Sequence, residues 1–141
     1  MDVRITHITV FVLDQDSALE FYVKKLGFKK HTDMPMHGGA RWLTVSPPEQ
    51  PELEIALMPA APFGMWNAAN AATMRDLVKQ GLFGFAAMKC KDVRATYEEL
   101  HAKGVEFAMP PTQQPFGMLA VFKDDSGNSF SLSEFEPKKG R

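Results

Sequence analysis

Residues 3–13 carry Val3, Ile5, Thr6, Ile8, Thr9, Val10 and Val12, a density of β-branched side chains that predicts an extended strand. After Leu13 the apolar period lengthens. Ala18, Phe21, Tyr22 and Leu26 stand at i, i+3, i+4 and i+8, the stripe of an amphipathic helix of about three turns. Asp14 and Asp16 are placed to cap it, Ser17 and Glu20 have capping-box spacing, and Gly27 follows as the stop. Three shorter extended segments come next, 28–33, 40–46 and 52–58. Pro35, the Gly38-Gly39 pair and the turn from Pro47-Pro48 to Pro51 separate them.

Residues 59–80 read as a connecting loop running into a short helix that carries Met74, Leu77 and Val78. The earlier order then returns. Residues 82–89 are strand-like, Asp92 caps a helix bearing Val93, Tyr97 and Leu100, and Gly104 ends it. A short strand, 105–109, is cut off by Pro110-Pro111. Two more, 116–123 and 129–135, are joined by the turn Asp124-Asp125-Ser126-Gly127-Asn128. Ala18 and Ala95 are 77 residues apart, as are Gly27 and Gly104. The chain is therefore an internal repeat of two βαβββ modules, 1–58 and 81–136, with 59–80 as linker.

Composition narrows the partners. At 141 residues the chain is one domain that can build its core without a disulfide or structural metal. Sixteen basic against 17 acidic residues, with the one basic cluster at Lys138, Lys139 and Arg141, argue against nucleic acid. No run of about 18 apolar residues is present, so no membrane helix is expected. Cys90 stands alone and nothing at the N-terminus resembles a signal peptide, so the expected location is the cytoplasm. A multi-histidine site could draw only on His7, His31, His37 and His101.

The run Ile5-Thr6-His7-Ile8-Thr9-Val10-Phe11-Val12, then Asp14, Ala18-Leu19-Glu20-Phe21-Tyr22 and Leu26-Gly27-Phe28, resembles the opening of the vicinal oxygen chelate superfamily. That group contains glyoxalases, bleomycin resistance proteins and extradiol dioxygenases. The second half is similar through Asp92-Val93, Ala95, Leu100, Gly104-Val105 and the Asp124 to Asn128 turn. The resemblance implies an α+β fold whose two βαβββ modules form an eight-stranded open cup, and a homodimer. In the enzymes of the group it further implies a divalent metal, held by one histidine or glutamate from the first and last strand of each module. Open positions on such a metal take adjacent substrate oxygens.

Strand alternation tells which side chains face the cup. Ile8, Val10, Val12, Leu43, Val45, Leu53, Ile55, Leu57, Phe130 and Leu132 are assigned to the helix side. His7, Thr9, Phe11, Trp42, Thr44, Glu52, Glu54 and Ala56 are left to the cup, with Ser129, Ser131 and Ser133 from the last strand. Of the four ligand positions the resemblance implies, His7 fills the first. Ala56 stands at the second, with Glu54 one step along the same face. Gly84 or Phe85 stands at the third and Ser131 at the fourth, none of them a useful ligand for a divalent ion. His31, His37 and His101 are set aside as solvated surface residues.

Apolar walls with a few polar groups describe a small-molecule pocket. The expected ligand contacts are His7, Phe11, Trp42 and Thr44 from the first strands, with Glu54. Phe85, Ser131 and the loop residue Phe116 are expected to add to them from the second module. Two functions stand side by side. One is a metal-free binder of a small, partly aromatic organic molecule. The other is a metal-dependent lyase, isomerase or dioxygenase of glyoxalase type, with His7 and Glu54 as candidate catalytic residues and a divalent metal as its cofactor.

Overall fold

The computed structural model describes residues 1–82 and 85–134, with the backbone only at Phe85. Strand β1 is His7–Val12. Helix α1, Gln15–Glu20, starts where the Asp14 carboxylate accepts the Ser17 N–H at 2.8 Å, and continues as a wider π-helical turn, Phe21–Lys25. Strands β2 (Lys29–Pro35), β3 (Arg41–Ser46) and β4 (Glu54–Pro59) complete the first module. After α2 (Ala68–Lys79) the second module repeats the order: β5 (Phe85–Cys90), α3 (Val93–Ala102), β6 (Phe107–Gln114), β7 (Gly117–Lys123) and β8 (Ser129–Glu134). Gly27 and Gly104 close α1 and α3 at φ +75° and +85°, the left-handed conformation that glycine adopts without strain.

The repeat extends to topology. The sheets run β1-β4-β3-β2 and β5-β8-β7-β6, and in each the first strand pairs in parallel with the last while the other pairs are antiparallel. The result is two four-stranded mixed sheets and no closed barrel. Helix-facing side chains of both sheets meet in one cluster, with Leu43, Val45, Ile55 and Leu57 from the first and Phe122 and Phe130 from the second. Phe21 and Tyr22, consecutive and both buried, show that α1 is covered on more than one side. Tyr22 reaches Phe130 of the other module edge to face, with ring centroids 6.3 Å apart.

The turn after β7 fastens the modules together. Asp124, 6% exposed, accepts backbone N–H bonds from Ser126, Gly127 and Asn128 on one oxygen, and the Tyr22 hydroxyl at 2.7 Å on the other. The Asn128 amide donates to the Phe11 carbonyl at 2.8 Å, and the Leu13 N–H donates to Ser126 at 2.9 Å. Gly127 sits at φ +113°, and a Cβ there would lie 2.6 Å from the Val78 carbonyl, so the end of α2 rests directly on this turn.

Burial, and then the Asp124 charge, raise the Tyr22 phenol well above its ordinary pKa. A group whose folded pKa is raised supplies stability below its unfolded pKa and loses it as pH climbs. Stability should therefore fall as pH rises past about 10. Tyr22→Phe should lower neutral-pH stability by about 1–2 kcal/mol and flatten that alkaline decline, measured as thermal midpoint against pH. A decline equally steep in the variant would contradict it.

Several boundaries differ from the sequence pattern. Helix α2 is a full 12 residues, because Asn67 caps it through the Asn70 N–H and the alanine-rich stretch from Ala68 has high helix propensity. Pro110-Pro111 does not end β6. That strand lies at the sheet edge, where a missing N–H is tolerated, and its register shifts between Met109 and Thr112. Strand β1 begins only at His7, where β4 supplies its partner Glu54, so Val3 and Ile5 are exposed and Ile8 is 37% exposed. The expected end of the last strand, Phe135, is outside the described residues. Among the described residues no helix is long and apolar enough to cross a membrane.

Candidate functional site

On the face of the first sheet turned away from α1, β1 and β4 place His7 directly beside Glu54. The imidazole Nε2 lies 3.1 Å from one carboxylate oxygen, while Nδ1 is 2.8 Å from the Thr6 hydroxyl. This pairing suits an Nε2–H that donates to the carboxylate and an Nδ1 that accepts from Thr6. The other oxygen of Glu54 accepts the Thr44 hydroxyl at 2.7 Å. Thr44 is fully buried and also accepts the Thr32 N–H at 3.1 Å.

A third donor to Glu54 is His31, whose Nδ1 is 2.9 Å from the oxygen that Thr44 also reaches. This corrects the expectation that His31 is only a solvated surface residue. Its side chain is half exposed, yet it belongs to the cluster. The cause is local: pairing between β2 and β3 slips between Lys30 and Thr32. A bulge breaks the period of two and re-aims a side chain, so His31 and Thr32 both contact this face, 3.0 Å apart through Nδ1 and the hydroxyl. No alternation in Lys29-Lys30-His31-Thr32 announces it. His37 lies in an exposed 3-10 turn and His101 stacks on Tyr97 in α3, both away from the cluster.

Trp42 supplies the apolar wall. Its ring centroid is 5.4 Å from that of His7, the planes tilted by 53°. Since β4 lies between β1 and β3, this contact passes over β4, where fully buried Ala56 presents only a methyl group. A glutamate at Ala56 would stand in the path of the contact. The residues present therefore do not fit the divalent metal of the superfamily's enzymes. His7 is bonded to Glu54 and Thr6; of the other positions that the resemblance implies, two carry Ala56 and Ser131, and the third falls on Gly84, outside the described residues, or on Phe85, whose side chain is outside them. Among the described residues no group of three or more His, Cys, Asp or Glu side chains is arranged to hold a metal ion.

The remaining candidates are dispersed. Phe11 packs edge to face on Trp66 at 5.4 Å, in a cluster with Ala60, Met74 and Val78 beneath α2. Ser131 lies in β8 of the second sheet, beside Ala87 and Val121. Phe116, 70% exposed, stands at the tip of the β6–β7 hairpin. Arg41, given no role from sequence, is tied to Asp16 and Asp33, which raise its pKa and turn it to bracing α1 against β3. Together, His7, His31, Thr44, Glu54 and Trp42 offer a carboxylate held by three donors, next to an indole face.

A family model described as the Glyoxalase/Bleomycin resistance protein/Dioxygenase superfamily matches residues 4–132. The chain is 39% identical over 134 residues to the uncharacterized protein YurT of Bacillus subtilis (strain 168), covering 92% of this chain and 97% of that one. Among solved structures it is similar to UcmS2, with 46% identity, a TM-score of 0.87 and coverage of 94% and 98%. It is also similar to TnmS3, described as an antibiotic binding protein from Streptomyces sp. CB03234, with 26% identity, a TM-score of 0.71 and coverage of 96% and 98%.

Proposed function

The chain belongs to the Glyoxalase/Bleomycin resistance protein/Dioxygenase superfamily, and from that premise we propose that it binds a small, partly aromatic organic molecule without a tightly bound catalytic metal. The observation that carries this reading is the Trp42–His7 contact, with ring centroids 5.4 Å apart. At the position where the resemblance implies a carboxylate ligand, this chain has Ala56, whose side chain is a methyl group. Trp42 gives a planar ligand a stacking surface. His7, His31 and Thr44, gathered on Glu54, supply the few oriented polar groups by which such pockets recognise a hydroxyl or carbonyl. The description of TnmS3 as antibiotic binding supports a binding role on this scaffold.

Phe11 from the first module, with Phe85, Phe116 and Ser131 from the second, enter this reading as contacts that complete the pocket. A homodimer fits it, because a second copy would cover the sheet edges. The cytoplasm fits it too, as a place where Cys90 stays reduced.

The test is isothermal titration calorimetry of the full chain with 2-naphthol. Saturable binding is expected, and Trp42→Ala should weaken affinity by about tenfold, the equivalent of one aromatic contact. Elemental analysis of protein purified without chelator is the second arm. One tightly held divalent ion per chain, lost in His7→Ala, would overturn the metal-free reading in favour of the lyase, isomerase or dioxygenase alternative.

A further inference from the structure

One ring nitrogen of the Glu54 cluster is left without a partner among the described residues. His7 commits both of its nitrogens, Nε2 to Glu54 and Nδ1 to Thr6. Thr44 donates its hydroxyl proton to Glu54 and accepts the Thr32 N–H. Glu54 in turn receives His7 on one oxygen, and Thr44 with His31 on the other. An ionised carboxylate can only accept, so Nδ1 of His31, 2.9 Å away, carries the proton. The Thr32 hydroxyl, 3.0 Å from that same nitrogen, accepts a share of it.

A neutral imidazole bears its proton on one nitrogen and a lone pair on the other, and the bond made by the first decides which is which. Nε2 of His31 is therefore an acceptor, and both contacts of this ring with other side chains are made through Nδ1. It can also be reached. The side chain is 50% exposed, and with Nδ1 turned to the largely covered Glu54 that exposure falls on the outer edge of the ring, where Nε2 stands. The same ring borders a cleft of about 200 Å³.

We propose that the ligand of this site carries a hydroxyl group, a phenol or an enol, that donates to Nε2 of His31. This rests on the aromatic reading of the site and narrows it to one ligand class. A hydroxyl brings the proton that the nitrogen lacks, whereas an ether or carbonyl oxygen would set one lone pair against another. Glu54 fixes the tautomer and the ring before any ligand arrives, so little ordering remains to be done on binding.

The test compares 2-naphthol with 2-fluoronaphthalene, which has the same rings and a small substituent with no proton to donate. Both are titrated into the full chain by calorimetry at a pH of about 8, above the ordinary histidine range. The preference for 2-naphthol should fall by about three- to tenfold in His31→Phe, the worth of one hydrogen bond, through loss of 2-naphthol affinity. Trp42→Ala should weaken both ligands and leave the preference as it was. Nuclear magnetic resonance of the ring nitrogens reads the tautomer itself: Nε2 of His31 should be unprotonated in the free chain and should shift when 2-naphthol is added. A preference unchanged in His31→Phe, or a proton on Nε2 in the free chain, overturns the hydroxyl assignment while the aromatic reading stands. Absence of saturable binding by either ligand overturns both.

Discussion

Asp124→Ala is expected to cost about 3–5 kcal/mol of folding stability, the sum for several buried donors that lose their acceptor together. Five donors converge on this carboxylate: the N–H groups of Ser126, Gly127 and Asn128, the Asn128 side-chain amide and the Tyr22 hydroxyl. Alanine leaves the Ser126 and Asn128 N–H groups and the Tyr22 hydroxyl without this acceptor at a residue only 6% exposed, while the Gly127 N–H keeps the backbone carbonyl of residue 124 and the Asn128 amide keeps the Phe11 carbonyl. Each orphaned buried donor is unfavourable by about 1 kcal/mol or more, and the turn that they shape would relax with them. That turn also bonds the Phe11 carbonyl and the Leu13 N–H at the end of β1, so the damage is not confined to the second module. Denaturant unfolding of parent and variant measures it. Asp124→Asn should lie between them, because an amide oxygen can still accept the three backbone bonds while its NH₂ opposes the Tyr22 and Asn128 donors. A cost below about 1 kcal/mol for alanine would mean that the core, and not this turn, holds the modules in register.

What was legible in the sequence follows from which physical rule governed each segment. The repeat could be read because α1 and α3 keep a helical period, take aspartate caps at Asp14 and Asp92, and end on glycines with positive φ. His7, Trp42, Thr44 and Glu54 could be assigned to one face because β1, β3 and β4 are regular where they pair, so a period of two carries through. His31 could not, since the slip between Lys30 and Thr32 is set by pairing with β3 and leaves no mark on the local pattern. Pro110-Pro111 reads as a strand end unless the strand is known to lie at an edge. The unpaired hydroxyl of Ser46 is a property of packing around the proline turn, and a serine near the end of a strand gives no sign of it.

Ligand affinity should respond most to Glu54, because it is the one acceptor on which both histidines and Thr44 depend. Glu54→Gln keeps the size of the side chain and replaces one oxygen by an NH₂ group. The carboxylate now accepts from His7 on one oxygen and from His31 and Thr44 on the other. Whichever way the amide is turned, one histidine would face a donor where it had an acceptor. If the NH₂ meets His7, the imidazole loses the bond that holds its ring beside Trp42. If it meets His31 and Thr44, the β2 bulge loses its anchor. Hydrogen bonds to a charged group are worth about 1.5–3 kcal/mol, so 2-naphthol binding should weaken by about ten- to hundredfold. The Glu54 side chain is only 16% exposed, so part of the loss should fall on stability, and the thermal midpoint of the variant separates that part from binding. Imidazole resonances of His7 and His31, followed by nuclear magnetic resonance, separate positioning from bulk: both should shift in Glu54→Gln, and Glu54→Asp should restore part of the affinity by returning the charge at shorter reach. Affinity within twofold of the parent in Glu54→Gln would show that ligand recognition rests on Trp42 and the apolar wall alone.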